Sequence, residues 1–259
     1  MLFENKVAIV SGSGPGLGKE VALGLAREGA DVVVAARRAD GVAKVAAKVE
    51  ALGRRALPLT CDVTDPEACQ ALADQAATEM GGVDVLVANA YHDGDMRTVL
   101  DADLDAWRTT LDVNLFGAVH MTRAVAPHMK ERGGGRIVMV NTMSTERIQE
   151  GFGIYAASKS ALKSITRTLA LELGRDGIRV NGVHPGYIWG PQVKWYFEHL
   201  AEERGTTPEE VYAEVAKDTA LGYLPPAKEI ADVVLLLASD LASCVTGQAL
   251  GANGGQWFH

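Results

Sequence analysis

A tyrosine and a lysine lie four residues apart in the segment Tyr155-Ala-Ala-Ser-Lys159. On a helix this spacing places both side chains on one face. A phenol with a pKa of about 10 needs roughly 4 kcal/mol to ionise at pH 7, and a neighbouring ammonium group offsets part of that cost. Such a tyrosine can exchange a proton with an alcohol. The spacing is common, so its meaning depends on the fold that surrounds it.

Short apolar runs alternate with helical patterns along the chain. The runs are rich in Val, Ile and Ala with little alternation, as expected for strands covered on both faces by helices. Strands are predicted over 6–10, 31–36, 56–60, 83–89, 133–141, 177–185 and 248–251, and helices over 19–28, 39–52, 65–80, 103–131, 154–174 and 227–239. This alternation predicts an α/β fold, a Rossmann-like doubly wound parallel sheet of about seven strands with a crevice at the strand carboxyl ends.

A glycine cluster joins the first strand to the first helix, with glycines at Gly12, Gly16 and Gly18 and an additional one at Gly14. Missing side chains allow a tight turn and let the backbone approach a pyrophosphate, which then meets free N–H groups at the helix N-terminus. The position of the cluster predicts nucleotide binding.

Two arginines, Arg37 and Arg38, follow the second strand, where an NAD-binding protein usually has an acidic residue. A guanidinium fork suits a ribose 2′-phosphate, which favours NADP, while Asp40 nearby keeps NAD open. After the third strand, Asp62 is placed to accept from the adenine amino group, with Val63 beside the ring.

Composition excludes several function classes. The 259 residues carry a formal charge of −8 with a pI near 5.3, which disfavours nucleic acid and membrane partners. Three cysteines without metal-ligand spacing suggest neither a disulfide framework nor a metal site. The start of the chain passes directly into an apolar strand with no room for a signal peptide, so a cytoplasmic location is expected.

Residues 187–226 do not follow the alternation of strands and helices. They are predicted to form a helical insertion between the sixth strand and the next core helix. Insertions on a rigid scaffold commonly act as lids, and an ordinary surface helical pair is the other interpretation. Aromatic residues of the insertion and of the C-terminus either line an apolar, cyclic or aromatic substrate, form the core of the lid or contact another subunit. These residues are Tyr187, Trp189, Trp195, Tyr196, Phe197, Trp257 and Phe258, followed by His259.

Taken together, the motifs resemble those of the short-chain dehydrogenase/reductases over essentially the whole chain. The glycine motif, the helix asparagine, the Tyr-x-x-x-Lys pair and the Asn-x-Val-x-Pro-Gly segment occur in the family's order. They are Ser11-Gly-Ser-Gly-Pro-Gly-Leu-Gly18, Asn114 in DVNLFG, Tyr155-Ala-Ala-Ser-Lys159 and Asn181-Gly-Val-His-Pro-Gly186.

This resemblance implies an NAD(P)-dependent oxidoreductase that interconverts a secondary alcohol and a ketone. Tyr155 would be the general acid/base, Lys159 would lower its pKa and hold the nicotinamide ribose, and Asn114 would position a water. Backbone at Ile188 would meet the nicotinamide carboxamide. A homotetramer or homodimer is expected, with the long helices between subunits. The implied cofactor contacts are Gly12, Ser13, Gly16, Leu17, Gly18, Arg37, Arg38, Asp62, Val63, Asn89, Ala90, Tyr155, Lys159, Pro185, Gly186 and Ile188.

Three positions depart from the family pattern. Tyr91 stands where a glycine is usual and, with His92, either lines the substrate mouth or forms a surface loop. Gly190 replaces a threonine near the carboxamide. The family's catalytic serine lies about 13 residues before the tyrosine, a register occupied by Thr142, whereas Ser144 has the usual side chain but lies deeper in the loop. Thr142 is favoured because its hydroxyl donates and accepts as serine does.

Two other functions stay open at this point. A nucleotide-sensing protein that has lost its chemistry would explain the missing serine and the altered Tyr91. Enoyl reduction is also possible, although relatives with that activity typically space their tyrosine and lysine more widely. The intact pair Tyr155 and Lys159 favours alcohol chemistry over both.

Overall fold

Seven parallel strands form one sheet in the computed structural model, which describes residues 1–258. Their order is β3-β2-β1-β4-β5-β6-β7, so the winding reverses between β1 and β4 and opens a crevice at their carboxyl ends. This confirms the predicted doubly wound fold. The strands are β1 Val7–Ser11, β2 Asp31–Ala36, β3 Ala56–Thr60, β4 Val85–Ala88, β5 Gly135–Val140, β6 Ile178–Pro185 and β7 Ala249–Ala252.

Helices cover both faces of the sheet. They are α1 Leu17–Arg27, α2 Ala39–Glu50, α3 Pro66–Met80, α4 Leu104–Leu111, α5 Gly117–Glu131, α6 Gly153–Leu173, α7 Pro191–Arg204, α8 Pro208–Lys217 and α9 Ala227–Ala238. Along β1, Ala8 and Val10 pack into one apolar cluster with α1, α2 and α9, while Val7 and Ile9 pack into a second cluster with α3, α5 and α6. Both faces of the strand are therefore buried, which explains why its sequence is apolar without alternation.

The helix predicted over 103–131 is not uniform. A π-helical turn, Asp112–Phe116, separates α4 from α5, and Asn114 lies at its centre. Such wide turns are rare and commonly occur at functional sites. The periodicity of the sequence does not reveal the turn, because the apolar positions on either side continue the helical pattern.

The insertion over 187–226 contains α7 and α8 and has a small core of its own. Phe197 is 1% exposed and contacts the rings of Tyr187 and Trp189, with centroids 5.7 and 5.9 Å away. A backbone hydrogen bond of 2.9 Å from Trp189 to Pro225 closes the base of the insertion. Several of the predicted substrate-lining rings therefore stabilise the insertion itself. His259, which the sequence groups with them, lies outside the described residues.

None of the helices within residues 1–258 combines the length and the apolar character that crossing a membrane requires.

Candidate active site

The glycine turn between β1 and α1 leaves no room for side chains at two positions. A Cβ at Gly18 would lie 2.2 Å from the carbonyl oxygen of Gly12, and a Cβ at Gly12 would lie 2.6 Å from the backbone nitrogen of Ala90. Gly12 also has a φ of +78°, which L side chains rarely adopt. The turn therefore packs directly on the end of β4, where the Asn89 side chain donates to the Gly12 carbonyl at 2.7 Å.

The outer part of the same turn is open. A Cβ added at Gly14 or at Gly16 would meet no atom of the described residues within 4 Å. Gly16, the residue before Leu17, caps α1 without a side-chain hydrogen bond. The first N–H groups of α1 therefore face an open space at the positive end of the helix. Ser13 lies deeper, where its hydroxyl donates to Val10 at 2.6 Å and accepts from the backbone of Ala35 at 3.3 Å.

Arg37, Arg38 and Asp62 lie at the carboxyl ends of β2 and β3, and all three are exposed. The Asp62 carboxylate accepts from the backbone and hydroxyl of Thr64, and these bonds, with the charge of Arg37, hold its pKa below the usual range. Val63 is buried against Gly117 of α5. An acceptor and two cations thus flank the outer end of the crevice.

The opposite end of the crevice is formed where β6 ends at Pro185. Gly186 donates its backbone N–H to Ala252 at 3.3 Å, and a Cβ there would lie 3.0 Å from Asn253. Ile188 packs against the apolar cluster of α1 and α9. The chain therefore enters the insertion through a fixed segment that consists of the end of β6, Gly186 and Ile188.

Tyr155 and Lys159 lie together in the first turns of α6. The Lys159 ammonium is 5.9 Å from the centroid of the Tyr155 ring and donates to the Val140 carbonyl at 2.8 Å. Lys159 is 1% exposed, and this burial lowers its pKa to about 7, while the charge of Asp93 acts in the opposite direction. Desolvation raises the pKa of Tyr155, and Asp93 and Tyr91 raise it further.

Thr142 is the hydroxyl that contacts Tyr155. A hydrogen bond from the Thr142 side chain lowers the pKa of Tyr155, opposing the effect of burial. The Thr142 hydroxyl also lies 3.3 Å from that of Ser144 and accepts from the Ser144 backbone at 3.2 Å. Both side chains are buried, and the order along this chain of hydroxyls is Ser144, Thr142, Tyr155.

Asn114 joins the π-helical turn to the loop after β4. Its side-chain oxygen accepts from the His92 backbone at 2.7 Å, and its nitrogen donates to the His92 carbonyl and the Ser158 hydroxyl, each at 2.9 Å. Ser158 in turn donates to the carbonyl of Tyr155 at 2.8 Å. The Asn114 amide therefore fixes the loop against α6, and its side chain is fully engaged by protein groups.

Sequence reasoning missed two polar residues at this site. Asp93, in the loop after β4, influences the pKa of both Tyr155 and Lys159. Gln192, in the first turn of α7, accepts from the Tyr91 hydroxyl at 2.6 Å and donates to Asp93 at 3.3 Å. A lone aspartate in a loop and a glutamine in a predicted lid carry no recognisable motif, so only their spatial proximity reveals them.

The crevice fits a nicotinamide dinucleotide. The turn is occluded at Gly12 and Gly18 but open at Gly14 and Gly16, where a pyrophosphate would meet the N-terminus of α1. The side-chain amide of Asn141, at the end of β5, is buried and has no hydrogen-bond partner within residues 1–258. In the same part of the chain, no group of three His, Cys, Asp or Glu side chains is arranged to hold a metal ion.

Comparisons with known proteins agree with this geometry. A family model described as enoyl-(acyl carrier protein) reductase matches residues 12–256. The 7α-hydroxysteroid dehydrogenase of Escherichia coli K12 is 35% identical over 98% of this chain and 94% of its own length. The chain belongs to the short-chain dehydrogenase/reductase family.

One further relative and one solved structure of the short-chain dehydrogenase/reductase family illustrate the likeness. The cis-4-hydroxycyclohexanecarboxylate dehydrogenase of Sinomonas cyclohexanicum is 36% identical over 98% of this chain and 97% of its own. A solved structure of 7α-hydroxysteroid dehydrogenase with NADH and 7-oxoglycochenodeoxycholic acid has a TM-score of 0.89 at 35% identity, covering 98% and 94% of the two chains. This short-chain dehydrogenase/reductase is an oxidoreductase that acts on CH–OH groups with a nicotinamide nucleotide.

Proposed function

We propose that the chain interconverts a secondary alcohol and a ketone with NADP, and that Tyr155 exchanges the proton. The observation that carries this proposal is the cluster of Thr142, Tyr155 and Lys159, half-buried or buried at the carboxyl ends of the strands. A phenol beside a hydroxyl donor and an ammonium group is equipped for acid/base chemistry on a bound oxygen.

Each of these side chains has a separate task. When bound, the reduced nicotinamide ring would supply the hydride for ketone reduction, and the oxidised, positively charged ring would accept a hydride during alcohol oxidation. Tyr155 holds the transferred proton at its phenolic oxygen. The Thr142 hydroxyl would donate to the phenolate or the substrate oxygen, and Lys159 in its protonated form favours the phenolate by its charge. Ser158 and Asn114 keep α6 in register with the loop after β4.

We predict that Thr142→Ala lowers kcat by about a hundredfold, the usual order of loss when one donor to a reacting oxygen is removed. Ser144→Ala should change kcat by less than about fivefold, because Thr142, not Ser144, lowers the pKa of Tyr155, and the Ser144 hydroxyl contacts Thr142. Steady-state kinetics of ketone reduction measure both effects.

Thr142→Ser is the matched control for this pair, since it keeps the hydroxyl and removes only a methyl group. It should retain activity near that of the parent protein. A collapse of kcat in Ser144→Ala alone would assign the role to Ser144.

NADP is the proposed cofactor because two exposed guanidinium groups, Arg37 and Arg38, follow the end of β2. Arg37→Ala should weaken NADPH binding by about ten- to hundredfold, the cost of losing a hydrogen bond between charged groups, and leave NADH binding unchanged. Fluorescence titration with each nucleotide gives the ratio. Arg27→Ala, which removes an exposed arginine from the far end of α1, is the control. Equal losses for NADH and NADPH would refute a contact between Arg37 and the 2′-phosphate, and tighter binding of NADH by the wild type would assign NAD.

The substrate class that we propose is an apolar ring compound carrying the reacting hydroxyl or carbonyl group. Two relatives act on ring alcohols according to their names, a hydroxysteroid and a hydroxycyclohexanecarboxylate. The insertion with α7 and α8 would cover such a ring as a lid. Purified protein should oxidise NADPH in the presence of cyclic ketones and release the alcohol. A protein that binds NADPH but turns over no ketone would be the non-catalytic nucleotide sensor instead.

We also propose a homotetramer or homodimer in the cytoplasm. Leu104 on α4, Phe116 in the π turn and Leu171 on α6 are exposed apolar side chains on the helices expected between subunits. Light scattering of the purified protein would contradict this assignment if it gave the mass of a monomer. The cysteines are free, and Cys244 is exposed, which suits a reducing compartment.

A further inference from the structure

Three polar side chains form a hydrogen-bonded bridge between the loop after β4 and the start of α7. The Tyr91 hydroxyl donates to Gln192 Oε1 at 2.6 Å, and Gln192 Nε2 donates to Asp93 Oδ2 at 3.3 Å. We name these three residues the polar clasp. They are exposed, so a molecule that enters beneath α7 meets them before it reaches the interior.

The backbone geometry holds the clasp over the reacting groups. The Asn114 side chain bonds both the N–H and the carbonyl of His92, and Gly94 lies next to Ile154, so that an added Cβ would touch the Ile154 side chain at 3.4 Å. Asp93 lies between these two anchored residues, and Ile154 immediately precedes Tyr155. The charge of Asp93 accordingly raises the pKa of both Tyr155 and Lys159.

Among the described residues, the clasp has spare acceptors and forms no salt bridge. A carboxylate offers about four lone-pair sites, and Gln192 uses one of those of Asp93. Within residues 1–258, Asp93 forms no salt bridge, whereas Asp95 pairs with Arg97 and Asp105 with Arg108. A substrate hydroxyl can therefore donate to Asp93. A substrate carboxylate would meet a like charge that already interacts with two neighbouring cationic groups, His92 and Lys159, and that has no salt-bridge partner among the described residues.

We propose that the polar clasp selects uncharged ring substrates that carry a second hydroxyl group remote from the reacting carbon, and that it disfavours ring substrates with a carboxylate at that place. The inference rests on the proposed function, because it concerns the substrate of the same site. It separates this chain from the relative that is named for a hydroxycyclohexanecarboxylate.

Three ring compounds with the same reacting hydroxyl test the proposal: cyclohexanol, 1,4-cyclohexanediol and 4-hydroxycyclohexanecarboxylate. Calorimetry on the cofactor-saturated Tyr155→Phe protein gives the dissociation constant of each without turnover. We expect the diol to bind about tenfold more tightly than the carboxylate, a difference of about 1.4 kcal/mol. Asp93→Asn should remove most of this ratio, chiefly by tighter binding of the carboxylate.

Two further variants separate charge from hydrogen bonding. Gln192→Ala keeps the charge of Asp93, so it should weaken diol binding without improving that of the carboxylate. Asp105→Asn removes an equal charge from α4, where Asp105 is exposed and paired with Arg108, and should leave the ratio unchanged. The proposal is overturned if Asp93→Asn leaves the ratio as it was, if Asp105→Asn shifts it equally, or if none of the three compounds binds.

Measuring the turnover of cyclic ketones distinguishes failure of the clasp proposal from failure of the proposed function. Wild-type protein that reduces cyclic ketones but shows no clasp-dependent ratio refutes the clasp alone. Protein that shows the ratio but reduces no ketone refutes the proposed chemistry alone.

Discussion

Tyr155→Phe lowers kcat for ketone reduction by about a thousandfold or more, within the range that general acid/base catalysis contributes. The substitution removes one oxygen from a half-buried ring and leaves the packing of α6 in place. It also removes the phenolic oxygen whose pKa the Thr142 side chain lowers, which is the proposed carrier of the transferred proton. NADPH should bind with a dissociation constant within about threefold of wild type, because one hydrogen bond at most is lost. Single-turnover kinetics and fluorescence titration measure the two quantities.

Tyr223→Phe is the matched control. Its hydroxyl donates to Glu229 at 2.7 Å between the insertion and α9, away from the Thr142–Tyr155–Lys159 cluster. The same atom is deleted, and activity should persist. A Tyr155→Phe protein as active as this control would refute the role of the phenol.

Lys159→Met is expected to abolish activity and to stabilise the fold. Lys159 is fully buried, and its ammonium group donates one hydrogen bond, to the Val140 carbonyl. Burying an ammonium group costs several kcal/mol, whereas losing one hydrogen bond costs about 1 kcal/mol, so the apolar methionine should be favoured. A net gain of about 1 kcal/mol would raise Tm by about 2–4 °C for a domain of this size. Retention of such a residue at the expense of stability is typical of a functional site.

The stability gain should depend on pH in a definite direction. Lys159 has a pKa of about 7 in the folded protein, against an ordinary value of 10.5. Between these values the unfolded chain holds the proton and the folded chain does not, so the stability of the wild type rises with pH. Lys159→Met lacks this dependence. Its advantage in Tm should be largest below about pH 7 and should shrink as the pH approaches about 10.

Lys163→Met, one helical turn further along α6, provides the comparison. Lys163 is only partly buried and is paired with Glu146, so its replacement removes an ion pair rather than an isolated buried charge. For Lys163→Met we therefore expect no pH-dependent gain in Tm of the kind expected for Lys159→Met. A Lys159→Met protein that is less stable than wild type at every pH would refute this account of the buried ammonium group.

The sheet is predictable from local sequence. The segments DVVVAA and ALPLT coincide with β2 and β3, because continuous β-branched and apolar runs between turn residues leave little choice of structure. The N-terminus of α3 is equally predictable. Asp65 caps the helix by accepting from the backbone N–H groups of Glu67 and Ala68, and Pro66 occupies the first helical position. Each of these features depends on residues that are close together in the chain.

Features that depend on packing are not predictable in this way. The π turn at Asn114 occurs where the Asn114 side-chain amide hydrogen-bonds to His92, 22 residues away in the sequence. No local sequence pattern encodes that contact. The order of the hydroxyls Ser144, Thr142 and Tyr155 follows from how the loop after β5 meets α6. The catalytic and cofactor-binding roles of the residues predicted from the sequence stay predictions.

The central claim is that the protein moves hydride between a nicotinamide nucleotide and a carbinol carbon. Its most direct test is incubation with NADPH deuterated at the transferred position and a cyclic enone, followed by mass spectrometry of the product. The account predicts an allylic alcohol with one deuterium on the carbinol carbon and the carbon–carbon double bond intact. A saturated ketone with deuterium at the β carbon would contradict it and would establish enoyl reduction.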